Sequence, residues 1–328
     1  MDPLSHIVIG RALTAAFDDE PRLFGGSGAA AILGALAPDV DGVVIPFGWD
    51  LYLRVHEIGT HSIAGGLVVA CASAVIVRAF SRRSRSLPLA AAAVTGTLSH
   101  LALDVLSGAR IRLAWPFVDT RVSVPLMAMA DPWFIAICVG GVFAWRGPAW
   151  WGRTWGRSRS VASAVLLVAV GFLCLKATLL ALAFRRSGVP ATSLSAVDAR
   201  WAAFTEWNVF ERTPQTLRTW LVSSHDGPPI LILSQPLEAE SALVQQSHSL
   251  GSVRNFLRTH DFGFPVERAA DGLTSVLWSD LRYCWPTTTS ANSMVCALWF
   301  GGTFRPDGRV VTQEVKVGGW IQKRPASQ

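Results

Sequence analysis

Long apolar runs fill the first 187 positions. Ser62–Phe80, "SIAGGLVVACASAVIVRAF", is almost wholly apolar, and Pro88–Leu106, Val122–Trp145 and Val161–Phe184 repeat the pattern. Roughly 20 apolar residues cross the hydrocarbon core of a bilayer, so four spanning helices are predicted at about 62–80, 88–106, 122–145 and 161–184. The third is interrupted by Asp131 and Pro132, and the fourth contains Lys176. Gly65, Gly66, Ala70, Ala72, Ser73 and Ala74 crowd the first, which suits close helix packing in lipid. Upstream, "GAAAILGALAPDVDGVVIPF" is apolar but broken by Pro38, Asp39 and Asp41, and reads as a buried or re-entrant element. The opening "MDPLSHIVIG" has no basic leader. It reads as a short apolar helix with Pro3 in its first turn, not as a signal peptide.

Beyond Ser187 the pattern changes. "SGVPATSLS" has the composition of a linker. After it come short alternating stretches such as "TWLVSS", "PILILSQ", "SVLWSDLRYCW" and "VCALWFGGTF", which predict strands. "RPDGRVVTQEVKV" predicts a hairpin turn at Asp307-Gly308. The expected fold is therefore a mainly α, membrane-embedded helical domain over 1–187, followed by a small β-rich (α+β) soluble domain over 188–328.

Composition agrees with a membrane protein. Of 328 residues, 51% are hydrophobic and only 16% charged, with a mean hydropathy of +0.36. Soluble domains carry about 25% charged residues. The basic excess lies wholly in the first part: residues 1–187 hold 17 Lys+Arg against 11 Asp+Glu, and 188–328 hold 12 against 12. No stripe of Lys and Arg with interleaved aromatics occurs, so nucleic acid is not an expected partner. Arg78, Arg82, Arg83 and Arg85 lie between the first two spans, and Arg146, Arg153, Arg157 and Arg159 between the last two. The positive-inside rule puts both loops in the cytoplasm of a multi-pass inner-membrane protein, and the second domain outside it. Arg185 and Arg186 point the other way, but two strong loops outweigh one pair. In the outer domain Cys284 and Cys296 could pair or remain free buried thiols, whereas Cys71, Cys138 and Cys174 read as small apolar packing residues. No cysteine pair has zinc-finger spacing.

The polar residues of the apolar half are the candidate chemistry. His6, Asp39, Asp41, His56, His61, His100 and Asp104 all fall within the first 104 residues. Ionisable groups at membrane depth are costly and mark a functional site by default. His100 and Asp104 are four apart, so a helix stacks them on one face. Asp39 and Asp41 share a turn after Pro38. His56 and His61 fit a loop ligand and a ligand at the start of a helix, with Thr60 as the N-cap. His61, His100, Asp104 and Asp131 all fall at the outer ends of their spans. Taken singly, His6 reads as a hydrogen-bonded core residue, Asp39 and Asp41 as a helix-ending turn, and Asp131 as an N-cap. Their joint occurrence favours one metal centre. Glu57 reads as solvated, and it is the sole candidate for a general acid or base apart from the ligands. His225, His248 and His260, in polar stretches, read as surface residues.

His6, "LAPDVDG", "HEIGTHSI" and "GTLSHLALDVLSGARIRLAWPF", in that order, resemble the bacterial membrane-bound metal-dependent hydrolases, also described as LexA-binding, inner-membrane-associated hydrolases. The resemblance covers about residues 4–135. It implies a metal held by His6, Asp39, Asp41, His56, His61, His100 and Asp104. The Arg-Gly that the family's box carries after its first His is Glu57-Ile58 here, which puts a substrate contact in doubt more than metal binding. "WSDLRY" around Asp280 is similar to the soluble tail of some members. More distantly, "SHLALD" is similar to the His-x-x-x-Asp helix of zinc-dependent phospholipases C and single-strand nucleases, which would imply phosphoester hydrolysis.

Mixed His and Asp ligands suit zinc, or manganese where carboxylates dominate. A site at headgroup level suits a membrane lipid or lipid-linked substrate. The expectation is a membrane-bound metal-dependent hydrolase. The alternative is a non-enzymatic membrane protein with a structural metal or hydrogen-bond site and a partner-binding outer domain. An ion carrier using Asp104 and Lys176 is disfavoured by four spans without a repeat.

Overall fold

A computed structural model describes residues 1–17, 26–56, 58–81, 85–146, 157–187, 195–225, 227–287 and 294–325. Glu57, Arg82, Arg83, Arg153 and most of the linker lie outside the described residues. The chain forms two compact units. The first comprises Met1–Val43, Val55–Arg185 and Asp198–Trp207, and the second Val44–Arg54, Arg186–Val197 and Asn208–Gln328.

The helices are α1 (Pro3–Phe17), α2 (Gly26–Leu36), α3 (Trp49–Val55), α4 (Ile63–Phe80), α5 (Ser86–Leu106), α6 (Pro132–Arg146) and α7 (Arg157–Ser187). A 3-10 helix, Ala37–Phe47, continues α2. Among the described residues, four segments are long and apolar enough to cross a membrane: Gly26–Phe47, Ile63–Phe80, Ser86–Leu106 and Arg159–Arg185. Val68, Val75, Ile76 and Phe80 on α4 and Leu167, Val168 and Val170 on α7 point outward, the surface that lipid requires.

The third helix differs from its prediction. It begins at Pro132, not near Val122, and has 15 residues. Asp131 Oδ1 accepts from the backbone N–H groups of Trp133 (3.0 Å) and Phe134 (3.1 Å), so Asp131 is the cap and Pro132 the first helical residue. The preceding apolar residues pair as extended chain, Ser107 with Pro125 and Ile111 with Val122. The run expected to be buried or re-entrant buries Ala30, Ala31, Ala35 and Asp41, and it also has the length and apolarity of a span.

Helix α2 lies against α5 at backbone contact. A Cβ on Gly34 would come within 2.2 Å of the Ala93 carbonyl oxygen, and one on Gly96 within 2.1 Å of that of Ala31. Around this seam Ala30, Ala31, Ala70, Ala74, Ala92 and Ala93 form an alanine core. A second core joins Val8 and Ala12 of α1 to Leu103, Phe134, Cys138 and Phe172. Cys138 packs as expected, whereas Cys71 and Cys174 are exposed on their helices. Lys176, buried in α7, donates to the carbonyls of Ala203 (3.4 Å) and Phe204 (3.0 Å) and stands 4.8 Å over the Trp207 ring. It ties down the segment Asp198–Trp207.

The C-terminal region is β-rich. One sheet runs in the order β1 (Ser195–Ala199), β2 (Glu206–Arg212), β3 (Thr216–Ser223), β4 (Ile230–Pro236). Two short helices follow, α8 (Ala242–Ser247) and α9 (Gly251–Leu257). Five more strands are β5 (Gly263–Ala270), β6 (Leu273–Asp280), β9 (Leu298–Phe304), β10 (Val310–Val317) and β11 (Trp320–Pro325). They form an antiparallel sheet in the order β11-β10-β9-β6-β5. The hairpin at Asp307-Gly308 is present: Gly308 has φ +82° and Asp307 Oδ1 accepts from Arg309 N at 3.0 Å. Val253, Phe256, Trp278, Phe300 and Phe304 fill its core, with Trp49 and Leu53 of α3 against them. Cys284 and Cys296 form a disulfide joining β7 (Cys284–Pro286) to β8 (Met294–Cys296).

Candidate metal centre

Helix α5 presents His100 and Asp104 to one side, as the four-residue spacing requires, with Nε2 of His100 3.1 Å from Asp104 Oδ2. His100 Nδ1 lies 2.7 Å from the Ala35 carbonyl. A carbonyl can only accept, so Nδ1 carries the hydrogen and Nε2 of the neutral ring presents its lone pair. The close seam between α2 and α5 places Ala35 there, through Gly96 and not through Ala102, which is exposed.

The 3-10 helix after α2 turns both carboxylates of "APDVDG" toward the same place. Asp39 Oδ1 is 3.4 Å from His61 Nε2 and 3.7 Å from His100 Nε2. Asp41 Oδ2 is 3.0 Å from His56 Nδ1 and 3.4 Å from His61 Nδ1. His61 sits in the turn before α4. The cap of that helix is Ser62, whose hydroxyl accepts from Gly65 N at 3.0 Å; Thr60 is not the cap. Thr60 Oγ1 instead donates to Asp41 Oδ2 at 3.2 Å and lies 3.2 Å from His61 Nδ1.

His61 is the hub. Its Nε2 faces His100 Nε2 at 3.3 Å and Asp104 Oδ2 at 3.5 Å. His6, from α1, stacks on His100 with ring centroids 3.8 Å apart, and its Nε2 is 3.4 Å from Asp104 Oδ1. The α-amino group of Met1 also contacts that oxygen. Among the described residues, three overlapping groups have donor atoms within 4.8 Å of one another: His6, Asp39 and His100; His61, His100 and Asp104; Asp41, His56 and His61. The structure thus brings together all seven residues singled out in the sequence. Asp131 stays apart as a helix cap, and Glu57 is not described. Of the C-terminal histidines, His248 meets Glu240 at 3.2 Å and His260 stacks on Phe256 at 4.2 Å. Asp280 is buried and accepts from the backbone N–H groups of Arg282 (2.8 Å) and Phe262 (3.2 Å).

The donor set fits a divalent cation. Among the described residues, both His6 nitrogens are buried without a hydrogen-bond partner. An orphaned buried polar atom costs about 1–3 kcal/mol, and a cation held at His6 Nε2 would remove that cost there. Electrostatics agree. Burial disfavours a charged His61, yet its hydrogen bonds to Asp39 and Asp41, with the charge of Asp104, lift its pKa from 6.5 to about 10. These carboxylates hold positive charge at His61, as a proton or as a metal. The centre is not sealed: His6, His61 and His100 are almost wholly buried, but the Asp39 side chain is 37% exposed and that of His56 22%.

Comparison with curated proteins and with solved structures returned no match. The family comparison did: the description "YdjM inner membrane protein" matches residues 1–183, more than half of the chain, including every residue of the centre. The chain therefore belongs to the YdjM inner membrane protein family.

Proposed function

We propose that this inner-membrane protein is a metal-dependent hydrolase whose centre acts on phosphoester or lipid-linked substrates. The observation that carries the reading is the convergence of His6, Asp39, His61, His100 and Asp104, with two imidazole Nε2 atoms facing one another at 3.3 Å. Those five side chains would hold the ion, zinc by their donor chemistry or manganese. Such an ion would act as a Lewis acid and lower the pKa of a water to about 7.

The chain's own residues supply the remainder. Ala35 fixes the His100 tautomer, and the four-residue spacing on α5 sets the Asp104 carboxylate beside His100 Nε2. The half-exposed Asp39 side chain leaves the centre open on one side, where a substrate could enter. The exposed apolar faces of α4 and α7 bring lipid to the same unit, which suits a membrane lipid as substrate. The resemblance to zinc-dependent phospholipases C in "SHLALD" points to the same reaction class.

The polypeptide crosses the membrane several times, with the metal centre and the C-terminal region outside the cytoplasm. Arg78 near the end of α4 and Arg85 before α5 lie at the ends opposite His61 and Asp104, and the Cys284–Cys296 disulfide belongs in an oxidising compartment. Elemental analysis of the purified protein tests the metal. One or more equivalents of zinc or manganese in the wild type, lost in His100→Ala, are expected, with turnover of phosphoester lipids lost in parallel. Wild-type protein with no metal above background refutes the reading. A bound metal without turnover of any phosphoester favours a structural site.

A further inference from the structure

Thr60 has no role in the ligand set, yet it stands between the ligand His61 and the buried carboxylate of Asp41. Its hydroxyl hydrogen goes to Asp41 Oδ2 at 3.2 Å, because a carboxylate can only accept. Toward His61 Nδ1, also at 3.2 Å, the hydroxyl oxygen is therefore the acceptor and the imidazole N–H the donor. That direction puts the His61 hydrogen on Nδ1 and turns the lone pair of Nε2 toward His100, Asp39 and Asp104. His56 Nδ1 lies 3.0 Å from the same Asp41 oxygen and donates to it, leaving its own Nε2 as an acceptor.

We propose that Thr60 and Asp41 are positioning residues: a relay from His61 Nδ1 through the Thr60 hydroxyl to Asp41 fixes the tautomer and ring orientation of His61, the central ligand of the metal site. The inference rests on the metal reading above and divides its residues into two classes. His61 has one lone pair as a neutral ring, so it serves the inner group or the outer one, not both. With Nε2 committed inward, the outer group keeps Asp41 and His56 among the described residues, fewer donors than the inner group offers an ion. Hydrogen bonds of this kind to ligating histidines typically govern metal affinity by 10–100-fold.

The test uses the full-length protein in detergent, with Thr60→Val, Thr60→Ser, Asp41→Asn and Asp104→Asn. Zinc content is measured after dialysis and affinity by competition with a chromophoric chelator. Cobalt(II) loaded in place of zinc reports the ligand field through its visible bands. Valine keeps the shape of threonine without the hydroxyl. Thr60→Val and Asp41→Asn should keep the wild-type stoichiometry, lose about 10–100-fold in affinity and shift the cobalt bands. Thr60→Ser should restore both, and Asp104→Asn should lose the ion outright. Wild-type affinity in Thr60→Val overturns the relay while leaving the metal site standing. Loss of one of two equivalents in Asp41→Asn also overturns it, in favour of a second ion on Asp41 and His56. A wild type without zinc overturns the metal reading, and the relay with it.

Discussion

Gly96→Ala tests the link between helix packing and the proposed metal centre. The new Cβ would lie 2.1 Å from the Ala31 carbonyl oxygen, 2.8 Å from Ala35 N and 3.0 Å from Ala31 C, all backbone atoms of α2. Ordinary contact begins near 3.4 Å, so α2 and α5 must separate by about 1.3 Å, since no side chain can rotate away. Overpacking of this kind costs roughly 1–3 kcal/mol. The shift acts on the His100 Nδ1 to Ala35 bond, now 2.7 Å, and would take it to about 4 Å, beyond hydrogen-bond range. Asp39 follows α2 by one turn and would move with it. Metal sites tolerate about 0.2 Å in ligand distance, so the variant should lose at least tenfold in zinc affinity as well as thermal stability. The assays are chelator competition and thermal unfolding in detergent. Leu98→Ala, at an exposed position of the same helix, is the control and should leave affinity unchanged. Wild-type affinity and melting temperature in Gly96→Ala would refute the argument that the glycine seam sets the site.

Three further outcomes are expected. The His61 pKa of about 10 lies above 6.5, so the proton's contribution to the metal-free protein is complete below pH 6.5 and lost as pH rises through about 10. Zinc must displace that proton, so affinity should rise about tenfold per pH unit between pH 7 and 9, with proton release seen in calorimetry across buffers; a flat profile contradicts it. The Cys284–Cys296 loop spans 12 residues, so the Cys284→Ser/Cys296→Ser pair should lower stability by about 3 kcal/mol, read as an earlier tryptophan-fluorescence transition in denaturant. Asp131→Ala removes two cap bonds and should destabilise α6 by about 0.5–2 kcal/mol without changing metal content, since Asp131 is not a ligand.

Much of the centre was legible in the sequence because covalent spacing settles it. His100 and Asp104 share a helix face by their four-residue separation, whatever surrounds them. The spans at α4, α5 and α7 follow from apolar length, and the strands β3, β4, β6 and β9 from their alternating stretches. The third span was misread because apolarity does not distinguish a helix from extended chain over Val122–Met129, and the cap at Asp131 with Pro132 decides where the helix starts. Thr60 was misplaced as a cap because its neighbour Ser62 carries the same chemistry two residues on, and only the backbone path shows which hydroxyl meets a free N–H.

The sequence by itself determined the inventory of donors, the membrane character of the first part and the β-rich second part. Tertiary structure alone decided which imidazole nitrogen faces inward, because that depends on Ala35 and Thr60, which meet His100 and His61 through space. It also decided that His6 joins His100 across 93 intervening positions and that Ala102 faces outward while Gly96 takes the contact. The physical reason is the same throughout: local periodicity sets neighbours within a helix, but the approach of one helix to another is set by residues far apart in the chain.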